Sequence, residues 1–403
     1  MTKLSFETLK FYDKGEYIRV NFLRNYELRL NKVDLERIGP VSVDEKEVNS
    51  INFEDVSESK AEKKFMFLLT NGFKDLINIY TNKKTTYIHR NSGIPLIGTR
   101  FIGIHDRGST LLEIKPLTGC NANCVFCSVD EGKDSKKSYD FVVEKDYLVE
   151  ETAKLLKFKG KEGIHIYINP HGEPLLYYDI VELIRDLKKI EFVDEITIIT
   201  NGMLLTKELI DELAKAGLST LNISISGYEI DKAKELMSTK AYDIDKIKEI
   251  LKYAKDKIKV IITPVWIDGL NDKEIEKLIQ FAKEDGLEIQ IQKFCYNKGG
   301  RNPSKGIEWD DFFEKLKVLE EKYKIKLIQD TFKLDKTKEY SCPFKKDEVI
   351  KAEVISFGRY KTEKIAVAEG RCILVQDCFK NGKIKLKISH IKDNIIIGKA
   401  VRK

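Results

Sequence analysis

From Leu111 onward, short runs of β-branched and other apolar residues alternate with stretches whose apolar positions recur every three to four residues. The short runs predict strands over 111–116, 164–169, 195–201, 220–226, 259–266 and 287–294. Between them, the stretch 178–188 sets Ile180, Leu183, Ile184 and Leu187 on one helical face, and 207–216 does the same with Leu209, Ile210 and Leu213. Residues 245–255 and 272–285 read as further helices. Strands joined by helical crossovers predict an α/β fold with a parallel sheet and right-handed connections. Six such strands are two short of a closed eight-stranded barrel. The expected core, residues 96–340, is therefore a partial (βα)6 barrel, open on one side and suited to a large substrate.

The pattern changes at both ends. Over residues 1–95, short apolar runs such as Tyr17-Ile18-Arg19-Val20 and Phe65-Met66-Phe67-Leu68-Leu69 alternate with charged stretches such as 57–64, which predicts an accessory α+β domain. The segment Ile94-Pro95-Leu96-Ile97-Gly98, followed by Phe101-Ile102-Gly103-Ile104 and the turn His105-Asp106-Arg107-Gly108, reads as a hairpin leading into the first core strand. Residues 341–403 form a third unit, with strands over 348–358, 363–369, 371–376, 383–390 and 394–401, as in a small all-β, OB-like barrel. Its alternation is plain in Lys383-Ile384-Lys385-Leu386-Lys387-Ile388, with lysines on one face and apolar residues on the other.

Candidate chemistry sits just past the first core strand. Cys120-Asn121-Ala122-Asn123-Cys124-Val125-Phe126-Cys127 spaces three thiols as C-x3-C-x2-C, close enough to face one inorganic core. A cubane cluster has four irons, so three ligands leave one iron open, whereas a structural site is normally closed by four. On spacing alone, a zinc knuckle or three buried thiols remains the alternative. Other chemistry-bearing segments also fall at strand ends: Pro170-His171-Gly172-Glu173-Pro174, Thr200-Asn201-Gly202, Ser224-Ile225-Ser226-Gly227, Pro264-Val265-Trp266 and Lys293-Phe294-Cys295. Ligands bind at the C-terminal ends of strands in such barrels, so these segments point to one active site. No Ser/His/Asp set or carboxylate pair stands out, and hydrolysis by side chains is unsupported.

With Phe126 directly before the third cysteine, the stretch from 111 to 329 resembles the radical S-adenosylmethionine (radical SAM) superfamily. The resemblance implies a 4Fe–4S cluster on Cys120, Cys124 and Cys127, whose open iron binds the amino and carboxylate groups of S-adenosylmethionine. It also implies that one electron, from a low-potential donor such as a ferredoxin, yields a 5′-deoxyadenosyl radical that abstracts hydrogen from the substrate. By the same resemblance, Gly172, Glu173 and Pro174 hold the amino group of S-adenosylmethionine, and Ser224 lies against its ribose. Thr200 and Asn201 share that neighbourhood, and Phe126 packs beside the adenine or the cluster. His171 departs from the family, which usually has glycine there. The last 60 residues resemble TRAM modules, which bind RNA. The whole layout, including Asn297-Lys298-Gly299-Gly300-Arg301, resembles an uncharacterised archaeal group of Fe–S oxidoreductases.

Composition adds three points. No apolar run of 18 residues and no signal-like N-terminal segment appears, so the expectation is a cytoplasmic protein with no membrane partner. In a reducing compartment the seven cysteines read as ligands before disulfides. Beyond the first three, Cys295, Cys342, Cys372 and Cys378 are enough thiols for a second metal centre, but their spacing matches no compact motif, and a small buried hydrophobe is the ordinary reading of Cys372. Finally, residues 344–403 hold 15 Lys and Arg against 7 Asp and Glu, a net +8 within a chain of net +6. That asymmetry suggests a polyanion partner. The expected function is radical modification of RNA, most plausibly tRNA. The alternatives are a peptide- or protein-modifying enzyme with an auxiliary metal centre, and a non-enzymatic RNA-binding protein whose cluster is structural.

Overall fold

The computed structural model describes residues 1–329 and 334–401. Arg402 and Lys403, which belong to the basic tail, lie outside the described residues. The core is an open seven-stranded sheet. Its six parallel strands are β1 (Leu111–Lys115), β2 (Ile164–Ile168), β3 (Val193–Thr200), β4 (Thr220–Ile223), β5 (Lys259–Ile262) and β6 (Glu288–Ile289). They lie side by side in chain order. The seventh strand, Gly103–Asp106, pairs antiparallel with β1 and forms the hairpin that leads into it.

Helices cover the sheet: α1 (Lys145–Lys159) precedes β2, α2 (Ile180–Lys188) precedes β3, and α3 (Lys207–Ala216) precedes β4. Two helices, α4 (Ile230–Met237) and α5 (Ile244–Ala254), fill the next crossover, and α6 (Asp272–Asp285) precedes β6. The sequence periodicity is realised directly in α2, which buries Ile180, Val181, Leu183, Ile184 and Leu187. The chain also starts and stops helices by ordinary rules. Thr206 opens α3 by accepting from the Leu209 N–H, and Gly217, at φ 95°, closes it in a left-handed turn that a side chain would oppose.

Two expected strands are broken. The run over 259–266 divides into β5 and a separate pair, Val265–Trp266, because Pro264 between them has no N–H to give a ladder. The run over 287–294 divides likewise into β6 and Gln292–Lys293, and the two outer pieces join in their own parallel ladder. A second short ladder, Thr118–Gly119 with His171–Gly172, extends the C-terminal ends of β1 and β2.

The N-terminal part is α+β. Strands Leu9–Asp13, Tyr17–Phe22, Tyr26–Asn31, Ile77–Asn78 and Lys83–Ile88 build a sheet whose sixth, edge strand, Tyr139–Val143, comes from beyond the cysteine loop. The helix Glu58–Gly72 buries Ala61, Phe65 and Leu69, and Phe65 meets Phe6, Phe11 and Phe53 edge-on or tilted.

The C-terminal strands Val349–Phe357, Lys364–Ala368, Arg371–Gln376, Gly382–Lys392 and Ile395–Ala400 close into a barrel. Strand alternation gives this barrel two apolar surfaces. Ile373 and Val375 point into its own core with Leu386, Ile388 and Ile396, whereas Cys372 and Leu374 belong to the main core of the molecule. The barrel is thus packed into the body. No helix among the described residues is long and apolar enough to cross a membrane.

Candidate active site at the cysteine loop

The loop after β1 is placed by a close contact between two glycines. Gly119 and Gly172 face each other in the short parallel ladder, where a Cβ on Gly172 would lie 2.1 Å from the Gly119 carbonyl oxygen. Gly119 itself has φ 95°, and a Cβ there would meet Asn78 and Asp140. Only glycines let the two backbones approach so closely, and their approach sets Cys120 beside Glu173. The Glu173 N–H then donates to the Gly119 carbonyl at 3.0 Å.

Cys120, Cys124 and Cys127 all line one cavity of about 320 Å³, together with Phe126, Gly172, Glu173, Thr200, Asn201 and Ser224. Of the expected cofactor-binding residues, only Pro174 lies off this wall; it opens the helical turn Pro174–Leu176 behind it. The Ser224 hydroxyl makes no hydrogen bond within the described chain and faces a partly exposed stretch of wall. Phe126 is buried at its edge.

Glu173 is the hub of this wall. Its Oε1 accepts from the Thr200 hydroxyl at 2.5 Å and the Leu175 N–H at 3.0 Å, and its Oε2 accepts from the Asn201 N–H at 2.9 Å. Burial pushes its carboxyl up to about 7, against the pull of those three hydrogen bonds. One lone pair on Oε2 remains for a further donor. Asn201 continues the chain of contacts, giving its amide N–H to Asn121 Oδ1 at 2.8 Å and lying 3.8 Å from Cys120 Sγ.

Two of the cysteines receive backbone donors at sulfur. The Ala122 N–H donates to Cys120 Sγ at 3.4 Å and the Glu131 N–H to Cys127 Sγ at 3.3 Å. Cys124 Sγ lies 3.6 Å from Met237 Sδ, at the end of α4, whose last carbonyls also accept from Asn123 and Val125. Burial and the neighbouring thiols push the Cys120 thiol well above its ordinary range and Cys124 up to about 12. A bound metal cation would take the place of the protons on Cys120 and Cys124. The Tyr242 hydroxyl, fully buried near Cys124, has no partner. Among the described residues no three His, Cys, Asp or Glu groups converge on a position for one metal ion. Three separated thiols on one wall, with backbone donors to sulfur, fit a polynuclear cluster better than a mononuclear metal.

The other cysteines are not brought together. Cys295 is exposed and lines the same cavity. Cys372 is buried in the main core, with its thiol 2.9 Å from the Pro95 carbonyl, and Cys378 sits in the barrel's own core. The strand Arg371–Gln376 ends before Cys378, and the turn at Asp377, at φ 51°, sends Cys378 into the barrel's own core while Cys372 stays in the main core; Cys342 packs against the barrel core. A second metal centre on Cys295, Cys342, Cys372 and Cys378 has no structural basis among the described residues.

Several residues that hold the loop were not singled out from sequence. Arg301 ties down its backbone, with its N–H donating to Cys127 O at 2.9 Å, its guanidinium to Cys124 O and Glu131 O, and Nε to Asp130 at 2.8 Å. Arg359, from the C-terminal barrel, is buried directly behind the loop. It holds Glu131 through two bonds of 2.7 and 2.6 Å and Asp140 at 2.8 Å, and also meets the Thr118 hydroxyl. Asp140 accepts in turn from Thr81 and Asn78 of the N-terminal sheet. All three parts of the chain therefore meet in one buried polar network under the cysteines. The only advance signal for Arg301 was its Gly-Gly-Arg setting, and Arg359 had none.

Comparison with known proteins bears on the family of the chain. Residues 114–282 match the sequence model of the Radical SAM superfamily. An uncharacterised protein of Methanocaldococcus jannaschii is 35% identical over 372 residues, covering 83% of this chain and 84% of its own. The GTP 3',8-cyclase of Campylobacter jejuni subsp. doylei is 30% identical over 225 residues, or 56% of this chain and 67% of the cyclase. Among solved structures, TYW1 with a lysine-pyruvate adduct bound is 22% identical with a TM-score of 0.41, over 55% of this chain and 76% of its own. Streptococcus suis SuiB bound to S-adenosylmethionine is 15% identical with a TM-score of 0.41, over 80% and 69%. A match that spans β1 to α6 and takes in all three cysteines, together with a relative alike along most of its length, means that this chain belongs to the radical SAM superfamily and is one of its enzymes.

Proposed function

We propose that this enzyme modifies RNA, most plausibly tRNA, by radical chemistry at a 4Fe–4S cluster held by Cys120, Cys124 and Cys127, in a partial (βα)6 barrel that carries a TRAM-like RNA-binding module. Bound there, the cluster and S-adenosylmethionine would supply one-electron chemistry able to take hydrogen from unactivated positions. The chain's own residues bind and orient. Backbone donors to Cys120 and Cys127 would favour thiolate ligands and would tune the potential of a bound cluster. Phe126 and Ser224 offer an apolar edge and a free hydroxyl on the same wall. Electrons would come from a low-potential donor such as a ferredoxin.

Glu173 would take the ammonium of S-adenosylmethionine on its remaining lone pair. Because its carboxyl sits at about 7, the charged form gains population as pH rises through that value. Affinity for S-adenosylmethionine is therefore expected to rise between about pH 6 and pH 8. Glu173→Gln should flatten that profile and weaken binding by about one to two decades, the worth of a charge-assisted hydrogen bond. Equilibrium binding across that pH range checks both, and an unchanged profile in the variant would remove Glu173 from this role.

The observation that carries the RNA reading is the lysine face of the barrel. Lys351 and Lys385 are directly opposite each other on neighbouring strands, and Lys380 and Lys383 line the same groove of about 780 Å³, with Glu353 opposite Lys383; the like-charge pair is Lys351 and Lys385. Like charges placed opposite across a sheet destabilise it, so folding alone does not account for them. A polyanion does. The GTP 3',8-cyclases, similar over the radical core, act by name on a nucleotide, which favours a substrate of nucleotide chemistry. The peptide-modifying alternative drew on four further cysteines, which the fold divides among an exposed position (Cys295), the main core (Cys372) and the barrel core (Cys342 and Cys378).

The test is tRNA binding by the full chain across a salt series. Each phosphate contact contributes a slope near −0.9 for duplexes and −0.7 for single strands in log affinity against log salt. Replacing Lys351, Lys383 and Lys385 together by Gln should make the slope shallower by about two to three. Equal slopes would overturn the assignment of this face, and nucleoside mass spectrometry of cells with and without the gene would identify the modification.

A further inference from the structure

Beside the cysteine-lined cavity lies a second, smaller one of about 240 Å³. It is bounded by Ser128 and Val129 of the cysteine loop, by Arg100 and His171, and by Arg359, Tyr360 and Glu363 of the barrel. Ser128, Val129 and Asn297 line both cavities, so the two adjoin across the residues that follow Cys127.

Its lining is cationic in an unusual way. Lys137 and Arg359 are committed on one side to Glu131, yet the Arg359 Nε–H is buried and has no acceptor. Buried donors are nearly always paired, so the unpaired Nε–H of a residue that lines this cavity calls for an acceptor on the cavity side. Arg100, exposed, makes no hydrogen bond or ion pair among the described residues. The Ser128 hydroxyl is free as well. The one carboxylate on the wall, Glu363, feels the Arg100 charge and accepts from the backbone N–H groups of Tyr360 and Arg359, so it competes with any anion for Arg100. His171 is held neutral by burial and the cations around it, so it adds a neutral ring. A cavity worth roughly eight water volumes has room for a phosphate and its ester oxygens.

We propose that this cavity is an oxyanion subsite that takes a phosphate group of the substrate, bound by Arg100, the free Nε–H of Arg359 and the Ser128 hydroxyl, next to the wall that holds the cluster. This rests on the reading that the substrate is a nucleic acid or nucleotide. A phosphate fixed here would set the position of the attached nucleoside relative to the cluster cavity, a positioning effect with large consequences for rate. The guanidinium fork of Arg100 matches phosphate geometry.

The experiment is calorimetry on the anaerobically reconstituted full-length protein, titrated separately with inorganic phosphate, a nucleoside 5′-monophosphate and a tRNA. Inorganic phosphate should bind saturably, Arg100→Gln should weaken it about tenfold, and Glu363→Gln should tighten it by removing the one opposing charge. Absence of saturable phosphate binding in the unmodified protein, or equal affinity in Arg100→Gln, overturns the subsite. If Arg100→Gln weakens the monophosphate and the tRNA alike, the phosphate site stands and serves the RNA chain. If phosphate and monophosphate respond but tRNA binding is indifferent to both Arg100→Gln and the triple lysine variant, the subsite stands with a free nucleotide as its source, and the RNA reading falls.

Discussion

Changing any one of Cys120, Cys124 and Cys127 to Ala is expected to abolish the cluster. The reconstituted protein should bind about four irons at this site, with the visible absorbance of a cubane. Each substitution removes one of three thiolates, and the cavity holds only one other thiol among the described residues, that of Cys295. Cys295 is exposed and follows β6 on a different segment, so it cannot close the same short loop. Cys295→Ala should therefore leave iron content unchanged, which separates a first-site ligand from a bystander in one assay. Full iron and unchanged absorbance in the triple Cys→Ala variant would remove the cluster from this site altogether.

The second large effect is expected far along the chain from the cysteines. Arg359→Met should destabilise the protein by about 3–5 kcal/mol, the usual cost of leaving buried charges without their partner. Arg359 is buried against Glu131 and Asp140, which are buried themselves. Burial already pushes the Glu131 carboxyl up, against the opposing pull of Arg359 and Lys137. Losing the guanidinium leaves Lys137 alone to hold Glu131, and Glu131 gives its backbone N–H to Cys127 Sγ. Chemical denaturation should record the stability loss, and iron titration a weaker cluster. Arg359→Lys should restore part of the stability but not the two-pronged hold on Glu131. A barrel that could be cut away without effect on iron would contradict this coupling. The basic tail, read from sequence as a separable module, is thus expected to be structural as well as RNA-binding.

How far the sequence reached can be judged element by element. The helix α2 was legible because the face of Ile180, Leu183, Ile184 and Leu187 is a local periodicity, and local periodicity decides which side of a helix is buried. The five strands of the C-terminal barrel were legible from period-two alternation in the same way. The breaks after β5 and β6 were missed because the apolar run continues across them while the ladder partner changes, and Pro264 was read as part of the strand instead of as a gap in its hydrogen bonding. The edge strand Tyr139–Val143 was missed because its partner, Lys83–Ile88, lies over fifty residues earlier.

The sequence by itself determined the chemistry on offer. Three thiols at fixed short spacing, an acidic residue after the second core strand and a lysine-rich terminal segment are properties of residue type and local separation. Tertiary structure alone decided what those residues face. It brought Gly119 against Gly172, turned the Glu173 carboxylate onto Thr200 and Asn201, kept Cys372 in the main core and Cys378 in the barrel's own core, and drove Arg359 in behind the cysteine loop. Each of these joins groups distant in the chain, and a contact of that kind is set by which surfaces the folded core has to bury together, a quantity no local pattern carries.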